Sequence, residues 1–227
     1  MRLSSKHLFE FDKKSEAQIL IGTDEAGRGP GAGGVFASAV YFKSIGNELI
    51  EKLSYLNDSK KLSKKKREEL FEIIFLNTIH STVCIEVEEI EKINILNASL
   101  KAMKIACENV INEVKREKQK EKSLEGGGVL VLVDGNKNIK DFDYPQKFII
   151  KGDGKSASIA AASILAKVSR DRYMQELDEK FPQYNWKQNA GYLTKEHLEA
   201  IEKYGITPRH RKSFLKGRNT KQLTLLN

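Results

Sequence analysis

The sequence has few cysteines and no long apolar run, and both shortages restrict the kind of protein it encodes. Its 227 residues include only two cysteines, Cys84 and Cys107, which lie far apart in apolar surroundings. Without a Cys-x-x-Cys pair or a zinc-binding spacing, we expect two buried free thiols in a reducing cytoplasm. No apolar run approaches the ~20 residues that span a membrane. The N-terminal MRLSSKHLFEFDKKSE interrupts every apolar patch with charge, which argues against a signal peptide and for a cytoplasmic protein.

Acidic residues are outnumbered, and the excess of positive charge is unevenly distributed along the chain. Lysine and arginine together number 39 against 31 acidic residues, which gives a net charge of +8. Residues 187–227 hold nine basic residues and three glutamates, and KKLSKKKR at 60–67 holds six basic residues. Segregated positive charge of this kind suits a polyanionic partner such as nucleic acid.

Apolar segments alternate with helical patterns along the chain, and this order predicts a mixed α/β sheet. Strands are predicted at residues 18–24, 35–42, 82–88, 129–134 and 148–153. Helices are predicted from the N-cap Ser63 to Asn77, over 97–118, and from Ser156 or Ser158 to Lys180. After Phe181 the composition becomes polar, basic and aromatic. This change predicts a main domain at 1–180, followed by a small basic helical C-terminal subdomain and tail at 181–227.

The segment GTDEAGRGPGAGG at residues 22–34 packs two adjacent carboxylates, one arginine and six glycines between the first two predicted strands. Gly29, Gly31 and Gly34 satisfy the GxGxxG fingerprint of an NAD(P)-binding oxidoreductase. That fingerprint requires a helix to start directly after the glycines. The residues that follow, VFASAVYF, instead predict a strand, and the two carboxylates would repel a pyrophosphate. The competing interpretation is a metal site that faces a phosphate.

Aspartates follow three of the predicted strands, at Asp24, Asp134 and Asp153. Because ligands of α/β proteins gather beyond the carboxyl ends of strands, we expect these side chains to meet there. Carboxylates that meet repel one another unless a cation lies between them. Oxygen ligands without histidine or cysteine select Mg²⁺ or Mn²⁺ over zinc. Two such ions can activate water and stabilise the leaving oxygen in phosphodiester cleavage.

Seven segments of the chain together resemble ribonuclease HII, the type 2 ribonuclease H family. They are GTDEAGRGPGAGGV, DSKKLS (58–63), NILNASLKAM (94–103), VLVDGN (131–136), KGDGKSASIAAASILAKVSRDRYM (151–174), NAGYLTKEH (189–197) and GITPRHRKSF (205–214). These segments occur in the family's order and cover nearly the whole chain. Gly31 and Gly34 depart from the leucine and proline that are usual in the family, which puts the rigidity of this loop in question.

The resemblance implies a ribonuclease H-like mixed five-stranded sheet flanked by helices, with residues 1–180 as the catalytic domain. It implies an endonuclease that hydrolyses the RNA strand of RNA–DNA hybrids and cuts 5′ to ribonucleotides embedded in duplex DNA. The products would carry 3′-hydroxyl and 5′-phosphate ends. The catalytic residues, which would hold two divalent ions (Mg²⁺ or Mn²⁺), would be Asp24, Glu25, Asp134 and Asp153.

The resemblance also implies which residues contact the substrate. Gly27, Arg28 and Gly29 would read the 2′-hydroxyl at an RNA–DNA junction, the group that distinguishes RNA from DNA. Tyr192 would stack on the deoxyribose that follows the ribonucleotide, and Lys60 would contact a phosphate or the acidic residues.

Other polar residues in these segments have less defined roles. Lys167 is either a second such contact or the partner of a nearby side chain. Asp171 is expected to lie on the helix surface or to support the site from outside it, and not to be a fifth metal ligand. His210 and Arg211 are expected to be structural or to contact the backbone. A nucleic-acid binding module without catalytic activity is the remaining alternative, and the complete set of acidic residues argues against it.

The C-terminal QLTLL at residues 222–226 places three leucines close together after a basic segment. One interpretation is that these leucines fold back onto the C-terminal subdomain. The other is a linear motif, because QLTLL is similar to the Gln-Leu-x-Leu-Phe/Leu peptides that bind bacterial DNA sliding clamps. We otherwise expect a monomer that makes no membrane contact.

Overall fold

The computed structural model of the chain describes residues 5–57, 59, 62–120 and 128–216. Its sheet has five strands in the order β3-β2-β1-β4-β5. The strands are β1 (Ile19–Ala26), β2 (Val35–Phe42), β3 (Thr78–Ile85), β4 (Val129–Asp134) and β5 (Gln146–Ile149). β2 is antiparallel to both of its neighbours, whereas β4 is parallel to β1 and to β5. The predicted mixed five-stranded sheet is therefore confirmed.

Helices cover both faces of this sheet. They are α1 (Lys6–Lys13), α2 (Asn47–Lys52), α3 (Lys64–Asn77), α4 (Val87–Ile93), α5 (Ile95–Lys120), α6 (Ala157–Lys180), α7 (Trp186–Asn189), α8 (Lys195–Tyr204) and α9 (Lys212–Leu215), with short 3₁₀ turns at Gly152–Gly154 and Pro182–Tyr184. Ser63 caps α3 and Ser156 caps α6, each through its side-chain oxygen, as predicted. One face of the sheet packs on α5, and the other packs on α6 with α1 and α3 beside it.

The alanine-rich helix α6 lies unusually close to the central strand β1. A Cβ atom at Gly22 would lie 2.2 Å from the carbonyl carbon of Ser158, so only glycine permits this approach of backbone to backbone. Small residues on α6, including Ala160 and Ala161, are fully buried at this contact. The contact fixes where the later turns of α6 lie relative to the carboxyl end of β1.

Two predicted strands are shifted in the structure. The strand predicted at 82–88 is β3, which begins at Thr78 and ends at Ile85, because its eight residues pair in register with β2. Val87 begins helix α4, where Glu88 and Glu89 in the first turn favour a helix N-terminus. The strand predicted at 148–153 ends at Ile149, and a 3₁₀ turn follows it.

Helices α7, α8 and α9 pack against the last turns of α6. Their shared apolar cluster includes Met174, Trp186 and Ile201, and it also contains Ala32 from the glycine-rich segment. The region after 181 is helical within the part that the structure describes, while its separation as a subdomain at 181–227 stays a prediction.

Both cysteines are free thiols, as predicted. Cys107 is buried but Cys84 is only half-buried, and burial raises the pKa of each thiol to about 12. Across the ranges that the structure describes, none of the helices combines the length and the apolar character needed to cross a bilayer.

Candidate active site

A cleft of about 250 Å³ lies at the carboxyl ends of β1 and β4. It is lined by the four predicted carboxylates Asp24, Glu25, Asp134 and Asp153, by Ala26, Gly27, Arg28, Gly29 and Tyr192, and by Ser59, Ser163, Lys167 and Arg170. We call this the acidic cleft. Of the residues that the resemblance assigned to the site, only Lys60 is missing from this lining, because it lies outside the described residues.

The register of two parallel strands brings Asp24 and Asp134 together. Thr23 of β1 is paired with Val133 of β4, so the next residue on each strand is one of these aspartates. Asp24 is only 7% exposed, and its Oδ1 accepts a hydrogen bond of 2.6 Å from the Glu25 backbone N–H. The two aspartates therefore meet at the carboxyl edge of the sheet, as predicted.

Asp153 reaches the acidic cleft from a turn, not directly from a strand end. The strand β5 ends at Ile149, and Lys151 then adopts a left-handed conformation with φ of 54°. The Gly152 backbone N–H donates a 2.6 Å hydrogen bond to Asp134 Oδ1. Asp134 thus holds the 3₁₀ turn that carries Asp153.

Without a bound cation, the negative charges of the acidic cleft repel one another. Burial raises the pKa of Asp24 well above its ordinary value, and the negative charges of the other three carboxylates raise it further. A cation in the cleft would offset this repulsion. The lining supplies carboxylate oxygens and no histidine or cysteine, which fits a hard divalent cation.

The four carboxylates do not converge on one point in this conformation. Glu25 Oε1 pairs with Arg28 Nη1 at 3.1 Å, and Asp134 is engaged by the Gly152 backbone. Within the described ranges, no three Asp, Glu, His or Cys side chains lie close enough together to hold a metal ion as arranged. The chemistry of the donor set fits the ion, while in this conformation Glu25 is engaged by Arg28.

The segment 27–34, which we call the glycine loop, forms one wall of the acidic cleft. Gly27 has φ of 101°, and a Cβ there would lie 2.2 Å from Arg170 Nε. A Cβ at Gly29 would lie 3.2 Å from Cε1 of Tyr192, a residue that is 52% exposed. The absence of side chains thus lets Arg170 pass beneath the loop and lets the Tyr192 ring lie against it.

Two buried arginines hold the glycine loop by its backbone. Arg170 donates to Ala32 O at 3.2 Å and to Gly34 O at 3.4 Å. Arg211 donates to Gly33 O at 2.9 Å, to Gly34 O at 3.1 Å and to Arg28 O at 3.3 Å. Burial, with a further contribution from the charge of Arg170, lowers the pKa of Arg211 from 12.5 to about 9.

The predicted role of Arg211 as a backbone contact is confirmed, but sequence reasoning missed Arg170. Arg170 is only 2% exposed and also donates to Ala190 O at 3.0 Å. In the sequence Arg170 lies near the charged residues Lys167, Asp171 and Arg172 of a predicted helix, and nothing there distinguishes it from an exposed charge.

The loop is tied at the two positions that depart from the family pattern. At Gly31, the backbone N–H donates to Gly191 O at 2.9 Å and the carbonyl accepts from Arg211 N at 2.7 Å. At Gly34, a Cβ would lie 2.5 Å from Cys84 Sγ, so the cysteine packs where a side chain would stand. Hydrogen bonds and packing thus constrain the loop at both glycines.

A chain of buried aromatic and imidazole groups lies behind Tyr192. Trp186 Nε1–H donates to His197 Nε2 at 3.0 Å, and His197 Nδ1 lies 2.9 Å from Tyr192 O. His210 Nε2 lies 3.2 Å from His197 Nε2, and Thr207 N–H donates to His210 Nδ1 at 2.9 Å. Sequence reasoning expected His210 to be structural, which is confirmed, and it missed His197.

Lys167 and Asp171 form a network at the side of the acidic cleft. Lys167 Nζ donates to Asp171 Oδ1, and Arg67 Nη2 lies 3.8 Å from Asp171 Oδ2. Arg67 also donates to the backbone carbonyls of Ser59 and Leu62, at 3.0 and 2.6 Å. Asp171 therefore pairs with Lys167, which lines the acidic cleft, and with Arg67, which holds residues that flank the predicted Lys60.

The dinucleotide-binding alternative lacks the element it requires. Strand β2, which begins at Val35, follows the glycines where the fingerprint needs a helix N-terminus. The structure instead combines two features: a mixed sheet of this strand order, and an acidic cleft at the carboxyl ends of its central strands. Together they define a nuclease of the ribonuclease H-like fold.

Comparison with known proteins narrows this class. The family described as Ribonuclease HII matches residues 21–217, and the chain belongs to this family. Ribonuclease HII of Rickettsia akari (strain Hartford) is 52% identical over 207 residues, which cover 91% of this chain and 96% of that protein. The chain is therefore a ribonuclease H, an endonuclease of RNA in RNA–DNA hybrids.

Solved structures share the fold. Ribonuclease H2 from Pyrococcus horikoshii OT3 gives a TM-score of 0.63 at 25% identity, over 86% of this chain and 93% of that one. A chain of the PCNA:RNase HII complex from Archaeoglobus fulgidus gives a TM-score of 0.62 at 26% identity, over 90% of this chain and 98% of that one.

We expect His210 to make the fold sensitive to acid. Burial lowers the pKa of His210 from 6.5 to about 3, so the folded protein keeps this ring neutral while the unfolded chain binds a proton. The free energy of unfolding should therefore fall as pH decreases from about 6.5 towards 3. His210→Gln removes this titration and keeps a donor near the Nε2 position. Its Tm should drop less than that of the parent between about pH 7.5 and about pH 5.

Equal losses of Tm in the parent and in His210→Gln would show that His210 is not held neutral.

Proposed function

We propose that the acidic cleft cuts the RNA strand of RNA–DNA hybrids, and cuts 5′ to single ribonucleotides in duplex DNA, leaving 3′-hydroxyl and 5′-phosphate ends. The observation that carries this proposal is the buried Asp24 beside Asp134 at the ends of two parallel strands, with Glu25 and Asp153 lining the same cleft. The family's activity on RNA–DNA hybrids supports it.

Asp24, Glu25, Asp134 and Asp153 would hold two divalent ions, either Mg²⁺ or Mn²⁺. When bound, the ions would supply the positive charge that activates water and stabilises the leaving oxygen. The protein's own contribution is to place the four carboxylates around one cleft at the edge of a rigid sheet. The hydrogen bond from Gly152 to Asp134 keeps Asp153 on the same side of the cleft.

The glycine loop and Tyr192 would identify the junction between RNA and DNA. Gly27 and Gly29 carry no side chains, so their backbone groups can approach a 2′-hydroxyl closely. The Arg28 side chain is 49% exposed and presents forked donors that suit a phosphate. The exposed face of the Tyr192 ring is available to stack on the deoxyribose that follows the ribonucleotide.

A second depression continues the path of the substrate. It has a volume of about 200 Å³, shares Lys167 with the acidic cleft, and is also lined by Lys64, Arg67 and Lys187. We call it the basic groove. Lys64 and Lys187 are exposed, and this supports contacts to phosphates that flank the cut site. Lys66 faces elsewhere, since its ammonium pairs with Glu69 at 3.0 Å.

The acidic residues are tested by Asp24→Asn and Asp134→Asn. Each amide keeps the oxygen that accepts the observed backbone hydrogen bond but loses the charge that holds a cation. We expect cleavage of a DNA duplex with one ribonucleotide to slow by roughly a hundredfold or more. Affinity for the duplex should change little, because the basic groove is untouched. Rates are measured by mapping and quantifying the cut strand at saturating Mg²⁺ and at saturating Mn²⁺.

The exposed Asp143 serves as the control, since Asp143→Asn should cleave as fast as the parent. A rate within about tenfold of the parent for Asp24→Asn or Asp134→Asn would overturn the assignment of the metal site.

The basic groove is tested by the double variant Lys64→Gln and Lys187→Gln in the Asp24→Asn background, which binds without cutting. Loss of two phosphate contacts should reduce the slope of log affinity against log salt by about 2. Lys66→Gln, whose ammonium is engaged by Glu69, should leave that slope unchanged. An unaltered slope in the double variant would place the bound duplex away from the groove.

A DNA sliding clamp is proposed as a second partner, through QLTLL at 222–226, which lies outside the described residues. The support is the similarity of this peptide to clamp-binding motifs and a structural neighbour whose structure is a complex with PCNA. A peptide that orders on binding pays an entropic cost, so its affinity is modest. Removing residues 222–227 should abolish clamp binding and leave Tm unchanged. Retained clamp binding, or a Tm lower by several degrees, would show that the tail belongs to the fold.

A further inference from the structure

We infer that His197 is a positioning residue that fixes Tyr192 against Gly29 and thereby sets the preference for a ribonucleotide followed by deoxyribose. The inference rests on the proposed role of Tyr192 in reading the junction. His197 itself is fully buried and does not line the acidic cleft, so it would act only through Tyr192.

The position of the Tyr192 ring depends on its backbone. Within the described part of the chain, the Tyr192 hydroxyl makes no hydrogen bond to protein, and half of the residue is exposed. The backbone is held at both ends, because Tyr192 N donates to Asn189 O at 2.9 Å and Tyr192 O accepts from Thr194 N at 2.8 Å. The side chain of His197 supplies a further contact to this carbonyl, at 2.9 Å from Nδ1.

The surrounding donors determine which nitrogen of His197 carries the proton. The Trp186 indole N–H can only donate, so His197 Nε2 must accept and is unprotonated. Likewise, the Thr207 N–H donates to His210 Nδ1, so the proton of His210 is on Nε2 and points at the same His197 nitrogen. His197 therefore carries its proton on Nδ1 and donates it to Tyr192 O.

The segment that carries His210 also holds the glycine loop, which lies against the Tyr192 ring. His210 forms an isolated β-bridge with Ala32, and the next residue, Arg211, binds the glycine loop carbonyls. Contacts to the buried pair His197 and His210 therefore help to position both the Tyr192 ring and the glycine loop against which it packs. A shift of His197 would move the ring relative to Gly29 without moving the carboxylates.

Two amide substitutions separate the two nitrogens of His197. The amide of asparagine reaches the position of Nδ1, so His197→Asn retains a donor to Tyr192 O and loses the contacts of Nε2. Glutamine reaches the position of Nε2, so His197→Gln retains those contacts and loses the donor to Tyr192 O. Both variants remove one buried ring, and we expect similar losses of Tm.

The readout is a ratio of kcat/KM values for two substrates, a DNA duplex with one ribonucleotide and a duplex whose cut strand is entirely RNA. We expect Tyr192→Ala to lower this ratio, because only the first substrate has the flanking deoxyribose. His197→Gln should lower it by up to about tenfold, less than the roughly hundredfold cost of a 1 Å misplacement. His197→Asn should keep the ratio within about twofold of the parent.

Long-range ¹H–¹⁵N NMR of the histidine rings gives a readout independent of cleavage. It should show His197 as the neutral Nδ1–H form in the parent at neutral pH. An Nε2–H form would overturn the inference. Because this measurement uses the parent protein, it tests the inference even if His197→Gln does not fold.

The outcomes distinguish this inference from the proposed function. If Tyr192→Ala lowers the ratio and His197→Gln does not, or if the Asn and Gln variants lower it equally, the inference is wrong and the proposed function stands. If Tyr192→Ala leaves the ratio unchanged, the junction role of Tyr192 is wrong and the inference fails with it. Loss of cleavage in Asp24→Asn supports the proposed metal site, and retained cleavage contradicts it; neither result tests the role of His197.

Discussion

The site depends on two buried guanidinium groups that bind backbone carbonyls of the glycine loop. A loop of this composition offers almost no side chains to pack, so its carbonyls are the groups by which the fold can hold it. Arg170 and Arg211 supply six hydrogen bonds to backbone oxygens, five of them on the loop. Hydrogen bonds to charged groups contribute about 1.5–3 kcal/mol each. Together with the backbone hydrogen bonds from the loop to Gly191 and Arg209, they fix the position of the loop beside the acidic cleft.

Repulsion between the carboxylates of the acidic cleft destabilises the folded protein, and close packing beneath the cleft offsets this loss. Asp24 is buried among like charges, which destabilises the folded protein unless a cation is bound. Beneath it, the contact of Gly22 with α6 brings strand and helix to backbone distance over a run of buried alanines. One helix therefore supports the carboxylates with its early turns and the glycine loop with Arg170 further along.

The sequence predicts those features whose causes are local. Strand ends and the residue types that follow them place Asp24 and Asp134, and serine caps place the starts of α3 and α6. The shifted β3 shows the limit, because Val83, Ile85 and Val87 alternate equally well and only pairing with β2 selects the register. Arg170 was missed because its partners are backbone carbonyls, which leave no mark in residue identity. His197 was missed because Trp186 and His210 become its neighbours only in the folded chain. Lys151, whose left-handed backbone ends β5, is likewise set by its surroundings.

The glycine loop and the arginine that binds it are separated by most of the chain. The hydrogen bond from Arg211 to Gly33 spans 178 residues. Strands β1 and β2 can pair soon after synthesis because they are neighbours in sequence. Arg211 is synthesised long after the loop, and contacts between such distant residues form slowly. The loop can therefore reach its final position only when residues 191–211 have packed against it, so β1 and β2 pair while the connection between them is still free to move.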